Sequence, residues 1–442
     1  MVLRRVKSSL AFLMLALAVD VGWPTEGSGQ LRVRIEEGTL SPVPIAVSPL
    51  FGADTDTSDL GGRISQVASA DLDRSGLFTT INPAAYIQAP EALQERPRFA
   101  DWRQINAEVL VAGKVERLSG GQIAVEVRIW DVFGGAYMDG ARFVAPEALW
   151  RRIAHKMADK IYERLTGERG YFDSRIVYVS ETGPKVQRVK RLAVMDQDGA
   201  NHRFLTNGNE LVLTPQVDRA SDRVAYLAYR GIPPQVYIHQ LNNGRESLLG
   251  SFEGMTFSPR FSPDGRSLAL TLATGGNSDL YIYDLASRSQ RQITNHPAID
   301  TSPSFSPDGR QIVFNSDRGG RPLLYVMNTD GGPAKRISFG EGQYGSPAWS
   351  PRGDLIAFTV LKNNAFHIGV MEPDGSNERL LTRSYLDDGP RWSPNGRVII
   401  FSRTDPQNDR TRLFTIDITG YNLREVPTPL DASDPDWTAL IP

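Results

Sequence analysis

The 442-residue chain contains no cysteine, which excludes disulfides, thiol nucleophiles, thiolate zinc sites and iron–sulfur clusters. Histidine is scarce as well. His155, His202, His239, His296 and His367 are the full complement, and no two stand at metal-ligand spacing. His155 falls in a predicted helix, His202, His239 and His367 in or beside outer strands, and His296 in a loop. There is no Gly-x-Ser-x-Gly nucleophile elbow. Ala112-Gly113-Lys114-Val115 is not a phosphate loop, because Glu108 replaces the first glycine and Val115 the Ser or Thr. A formal net charge of −2 gives no concentrated basic surface for nucleic acid. No apolar run reaches the roughly eighteen residues of a membrane-spanning helix.

What is present begins with a leader. Arg4, Arg5 and Lys7 precede ten apolar residues from Leu10 to Val19, followed by small and turn-forming residues up to Gly29. Such a run reads either as an uncleaved membrane anchor or, being too short to span a bilayer and cut off by Asp20, as a secretory signal over residues 1–29. Its removal leaves a soluble chain with a net charge of about −3, suited without cysteine to a bacterial periplasm.

The strongest pattern is a repeat. Near-copies of one phrase begin at Pro215, Pro259, Pro303, Pro347, Pro390 and Pro435, in steps of 44, 44, 44, 43 and 45 residues. Two copies read Pro-Arg-Phe-Ser-Pro-Asp-Gly-Arg and Pro-Ser-Phe-Ser-Pro-Asp-Gly-Arg, at residues 259–266 and 303–310. Each is followed by β-rich runs, such as residues 311–315, 323–327 and 336–338. Proline, Asp and Gly specify the first hairpin turn by presetting φ, bonding backbone donors and accepting φ > 0. A period of this length with strand content marks β-propeller blades. Residues 175–179, 191–195 and 202–205 look like a blade without its first strand, and residues 435–441 like a first strand without a blade. Together they predict six blades over residues 171–442, closed by the C-terminal strand.

Residues 30–170 lack the period and read as a mixed α/β domain. Strand-like runs occur at residues 45–47, 109–111 and 123–129. A helix beginning near Pro146 and Glu147 carries Leu149, Ile153, Met157, Ile161 and Leu165 on one stripe. At the predicted mature start, Leu31, Val33 and Ile35 alternate with Arg32, Arg34 and Glu36 ahead of Glu37, as in a strand with one apolar side. It is either the domain's first strand or a terminal strand able to detach and add to a partner's sheet.

In a propeller the first strand of each blade lines the channel, and the loop before it opens at one mouth. Those loops are expected at residues 211–214, 255–258, 300–302, 344–346, 387–389 and 433–434. They carry Thr256, Ser258, Asp300, Thr301, Ser302, Ser346, Asp387, Asp388 and Asp434 beside Met255, Phe257 and Tyr344. The mixture suits apolar anchors of a protein or peptide site inside a polar rim, or equally a rim of solvated turn formers. A secreted propeller enzyme, lyase or peptidase-like, would need convergent catalytic groups, and these loops hold neither His nor Arg.

The leader, opening strand, mixed domain and Ser-Pro-Asp-Gly repeats together resemble the TolB family of the Tol–Pal envelope system. The resemblance covers the whole mature chain. It implies a non-enzymatic, cofactor-free periplasmic adaptor that binds the lipoprotein Pal at the channel mouth and TolA through residues 31–37. In such an adaptor the two sites are coupled, and the role is in outer-membrane integrity and constriction during division. Bacteriocins and phage proteins are further partners that the resemblance allows. Met255, Ser258 and Thr301 are the nearest matches to the family's Pal-contacting positions. Met255 departs from the polar aromatic ring common there, and Glu36 and Glu37 are departures in the opening strand.

Overall fold

The computed structural model describes residues 41–250, 252 and 254–441. The predicted signal at 1–29 and the opening strand at 31–37 lie outside these described residues.

The N-terminal domain is built from β1 (Val43–Val47), α1 (Thr55–Ser75), β2 (Phe78–Thr80), α2 (Phe99–Gln104), β3 (Val109–Arg117), β4 (Gln122–Asp131), β5 (Ala136–Pro146) and α3 (Trp150–Thr166). Its sheet runs β2-β1-β3-β4-β5, with β1 parallel to both neighbours and the other pairs antiparallel. α1 opens on a capping box in which the Asp54 carboxylate accepts the Thr57 N–H at 2.7 Å. Leu60, Ile64, Ala68 and Leu72 then form its buried stripe, one turn apart. α1 and α3 pack on each other and on the sheet, while Trp102 of α2 sits in a separate cluster with Ala46, Leu110 and Ala112. α3 buries Ile153, Met157, Ile161 and Leu165 as expected. Leu149 departs from that stripe: it ends a 3₁₀ turn, Glu147–Leu149, and is 40% exposed. The chain leaves β5 at Pro146 with Glu147 held outside by Arg117, so the α-helix begins only at Trp150.

Six four-stranded antiparallel sheets follow. Five are consecutive in sequence, with inner strands Val212–Asp218, Met255–Phe261, Asp300–Phe305, Gln343–Trp349 and Leu386–Trp392. The sixth is composite: the C-terminal strand Asp431–Trp437 pairs antiparallel with Arg175–Thr182, placing Trp437 opposite Ile176. The ring is thus closed as the repeat pattern predicts. Apolar rows from neighbouring sheets form the core; one cluster joins Leu280, Phe314, Tyr325, Tyr344 and Phe358 of three successive blades. The Ser-Pro-Asp-Gly turns are fixed locally. In one, Gly309 at φ 72° donates to the Ser306 carbonyl, while the Ser306 hydroxyl accepts the Gln311 N–H at 2.9 Å.

The N-terminal domain meets the ring at the end that carries these turns. Glu168 pairs with Arg352 at 2.8 Å, the Asn395 amide donates to the Arg169 carbonyl, and the Asn422 amide to that of Arg74. The opposite end, where the inner strands begin, is the channel mouth.

Candidate functional site

The six expected mouth loops are in fact the opening halves of the inner strands. In each repeat the residue before the proline sits at positive φ: Thr214, Ser258, Ser302, Ser346, Gly389 and Asp434, between 45° and 67°. Pairing with the second strand slips at every one of these points. The bulge explains how a proline enters a strand, since its missing N–H falls where the ladder is interrupted. It also fixes how the four preceding residues point.

Three residues before each proline, side chains turn into the wall. Val212, Thr256, Asp300, Tyr344, Asp387 and Ala432 are all buried. Four predicted contact residues are therefore corrected to supports, because their polar atoms are engaged or enclosed within the blades. Asp300 pairs with Arg318 at 2.7 Å, and Asp387 takes a two-pronged bond from Arg403 at 2.7 Å on each oxygen plus the Thr382 hydroxyl at 2.6 Å. The Tyr344 hydroxyl bonds the Glu378 carboxylate at 2.8 Å, and burial followed by that carboxylate pushes its ionisation well up. Thr256 is enclosed at 2% exposure.

The remaining predicted residues stay at the surface or in the channel wall. Met255 is 41% exposed, and Leu211 and Ile299, at the same step of neighbouring blades, are similarly open. Phe257, Ser258, Thr301, Ser302, Ser346 and Asp434 are half-buried, and Asp388 is exposed. Asp388 accepts from the Ser346 and Thr359 hydroxyls, both at 2.9 Å, so adjacent blades share one carboxylate. Burial raises the Asp434 carboxyl above its usual range, opposed by Lys190 and by the N–H of Thr214. Apolar side chains spaced around a rim of hydroxyls and carboxylates can seat a protein segment.

Deeper in the channel, the residue after each proline faces inward: Gln216, Arg260, Ser304, Ala348, Arg391 and Asp436 all line one cavity of about 190 Å³. Sequence reasoning passed over this ring, although the repeat carried its signal in the variable position following the invariant proline.

A second cluster lies between the domains. Asp71, His155 and Asp198 bring donor atoms within 4.8 Å of one another. Most of their atoms serve as a clasp: Asp71 bonds His155 Nδ1 at 2.5 Å, the Gln197 amide at 2.6 Å and Arg74 at 3.1 Å, while Asp198 pairs with Arg151 and His155 Nε2 is buried without a hydrogen-bond partner. Among the described residues no helix is long and apolar enough to cross a membrane.

Comparison with known proteins fits this architecture. The TolB amino-terminal domain model matches residues 31–138, and the TolB beta propeller domain model matches residues 162–441. The chain is 54% identical to "Tol-Pal system protein TolB" of Paramagnetospirillum magneticum over 99% of each sequence. It is likewise 54% identical to the Rickettsia prowazekii protein of that name, over 92% of this chain and 95% of the relative. The crystal structure of TolB from Acinetobacter baumannii superposes with a TM-score of 0.82 at 26% identity, covering 93% of this chain and all of the other.

Proposed function

The chain belongs to the TolB family, and from that premise we propose that it acts in the Tol–Pal system as a non-enzymatic periplasmic adaptor. It binds Pal at the channel mouth through Met255, Phe257, Ser258, Thr301, Ser302, Ser346, Asp388 and Asp434. Residues 31–37 are the strand offered to TolA. The role is outer-membrane integrity and constriction during division. The observation that carries the mouth as docking face is the six-fold bulge. It holds the polar rim on a rigid ring, with Leu211, Met255 and Ile299 exposed on neighbouring blades and the N-terminal domain bound at the other end. A preformed rim spares the ordering cost that a flexible loop would incur on binding. Occupation of the mouth shifts the N-terminal strand only if Pal favours one of its states.

Calorimetric titration of residues 30–442 with the soluble domain of Pal from the same organism tests this reading. Thr301→Arg, which sets a long cation among the rim residues, is expected to weaken binding at least tenfold, about 1.4 kcal/mol. Deletion of residues 30–37 is expected to retain Pal binding and abolish TolA binding. Absence of heat with the unaltered chain at high Pal concentration would overturn the mouth assignment.

A further inference from the structure

The channel ring below the mouth is unequal in charge. Arg260 and Arg391 occupy two of its six positions, and Arg219 reaches the same cavity from the neighbouring turn. Asp436 is the carboxylate of that ring, and its two oxygens accept the Val217 N–H at 2.7 Å and the Trp437 N–H at 2.9 Å. Arg219 bonds the Trp392 carbonyl and Arg391 the Pro390 carbonyl. Arg260 is 9% exposed, and its buried Nη1 has no partner; the Nε of Arg391 is likewise buried and unpartnered. The charges of Asp436 and then Asp434 act on both Arg260 and Arg391, and that of Asp388 on Arg391 alone.

Arginine escapes burial by losing its proton far less readily than lysine does, because its ordinary pKa is much the higher of the two. A guanidinium without a partner in a low-dielectric wall carries a desolvation cost that a counter-ion relieves. Burial, and then the charge of Arg391, bears on Arg260 strongly enough to pull its pKa well below the ordinary arginine range. The planar fork of N–H donors matches an oxyanion.

We propose that the propeller channel holds a small oxyanion bound by Arg260, Arg391 and Arg219 at the level of the residues that follow the repeat prolines. The cavity of about 190 Å³ is well above the space that a single water needs, leaving room for a five-atom oxyanion. Ser304 adds a hydroxyl to the same wall. The anion tightens the ring, because three blades contribute to one site.

The test is thermal unfolding of the purified protein, and of Arg260→Gln and Arg391→Gln, in chloride buffer with inorganic phosphate or acetate added at constant ionic strength. Phosphate strengthens burial in any protein to some degree, so the readout is the difference from the variants. The unaltered protein is expected to show a saturable rise in Tm of at least about 2 °C, lost in Arg260→Gln. Arg260→Gln is expected to melt higher than the unaltered protein in chloride, having lost an unpaired buried cation. The phosphate and acetate arms tell a tetrahedral oxyanion from a carboxylate. Should Arg260→Gln fail to fold, isothermal titration of phosphate into Arg391→Gln decides: affinity at least tenfold below that of the unaltered protein supports the site. Equal Tm responses in all three proteins, or no saturable binding to the unaltered protein, would overturn it. No Pal is present, so failure here is distinct from failure of the adaptor reading.

Discussion

His155 is held between two domains by groups that no sequence motif connects. Its Nδ1 bonds Asp71 of α1, and its Nε2 lies 4.0 Å from an Asp196 oxygen of the propeller with no hydrogen-bond partner. Asp198 completes the acidic side, and Arg74 and Arg151 face the same cluster. Burial alone would lower the imidazole pKa, but the bond and charge of Asp71, with Asp198 and Asp196, raise it above the ordinary value near 6.5. A raised folded-state pKa means that the contribution to stability is full below the unfolded value. It is lost as pH climbs through the folded one. Urea denaturation between about pH 5.5 and 9 should therefore show the unaltered protein losing stability, relative to His155→Gln, as pH rises above about 6.5. A constant difference between the two across that range would show that the imidazole stays neutral and that the clasp is packing alone. Close packing sets another residue at the junction: a Cβ on Gly170 would lie 2.0 Å from the Asp159 carboxylate, whose two oxygens hold the Phe172 and Asp173 N–H groups.

The inner-strand bulge is the element on which the mouth depends, and it has a local cost. Residues before proline are steered toward extended backbone, yet here they adopt the left-handed region, which is least comfortable for the β-branched Thr214 at φ 46°. The Thr214 hydroxyl is buried and unpartnered as well. Thr214→Asn, a residue that enters this region more readily, is expected to stabilise the fold by about 0.5–1 kcal/mol, read as a higher urea midpoint with unchanged slope. Destabilisation would mean that the branched methyl packs in a way that outweighs the backbone strain. The same element shows why some of the structure was legible from sequence and some was not. Blade number, turn chemistry and ring closure follow from a period that every repeat restates. Proline within a strand argues against a strand, so Met255–Phe261 and its counterparts read as loop followed by strand until the bulge is seen. α1 escaped notice because Gly61 and Gly62 interrupt its stripe, although a Cβ on Gly61 would meet the Leu50 carbonyl oxygen at 2.3 Å. Thr256, Asp300, Tyr344 and Asp387 differ from exposed neighbours only in the direction of one side chain, which the bulge sets and composition does not.

Over the whole molecule, closing the ring and docking the N-terminal domain are one packing event. Trp437, on the last strand, is 1% exposed, and its indole N–H bonds the Ser174 hydroxyl at 2.7 Å. Its ring meets Tyr171 edge-on at 5.7 Å; Tyr171 meets Tyr162 of α3 at 6.0 Å, and Tyr162 meets Phe78 of β2 at 6.2 Å. A continuous line of buried aromatic rings thus runs from the closing strand through the interdomain link into the N-terminal sheet. Each edge-to-face pair adds about 0.5–1.5 kcal/mol beyond the area it buries. Because the strand bearing Trp437 also covers the edge of Arg175–Thr182, loosening it weakens the propeller and the domain together. Trp437→Ala is expected to cost about 3–5 kcal/mol and to lower the stability of both parts. This can be followed by native-state hydrogen exchange, with α1 and α3 reporting on one domain and the strands of the closing blade on the other. If exchange quickens in the closing blade while α3 keeps its full protection, the aromatic line does not couple them, and the two domains are separate folding units that merely touch.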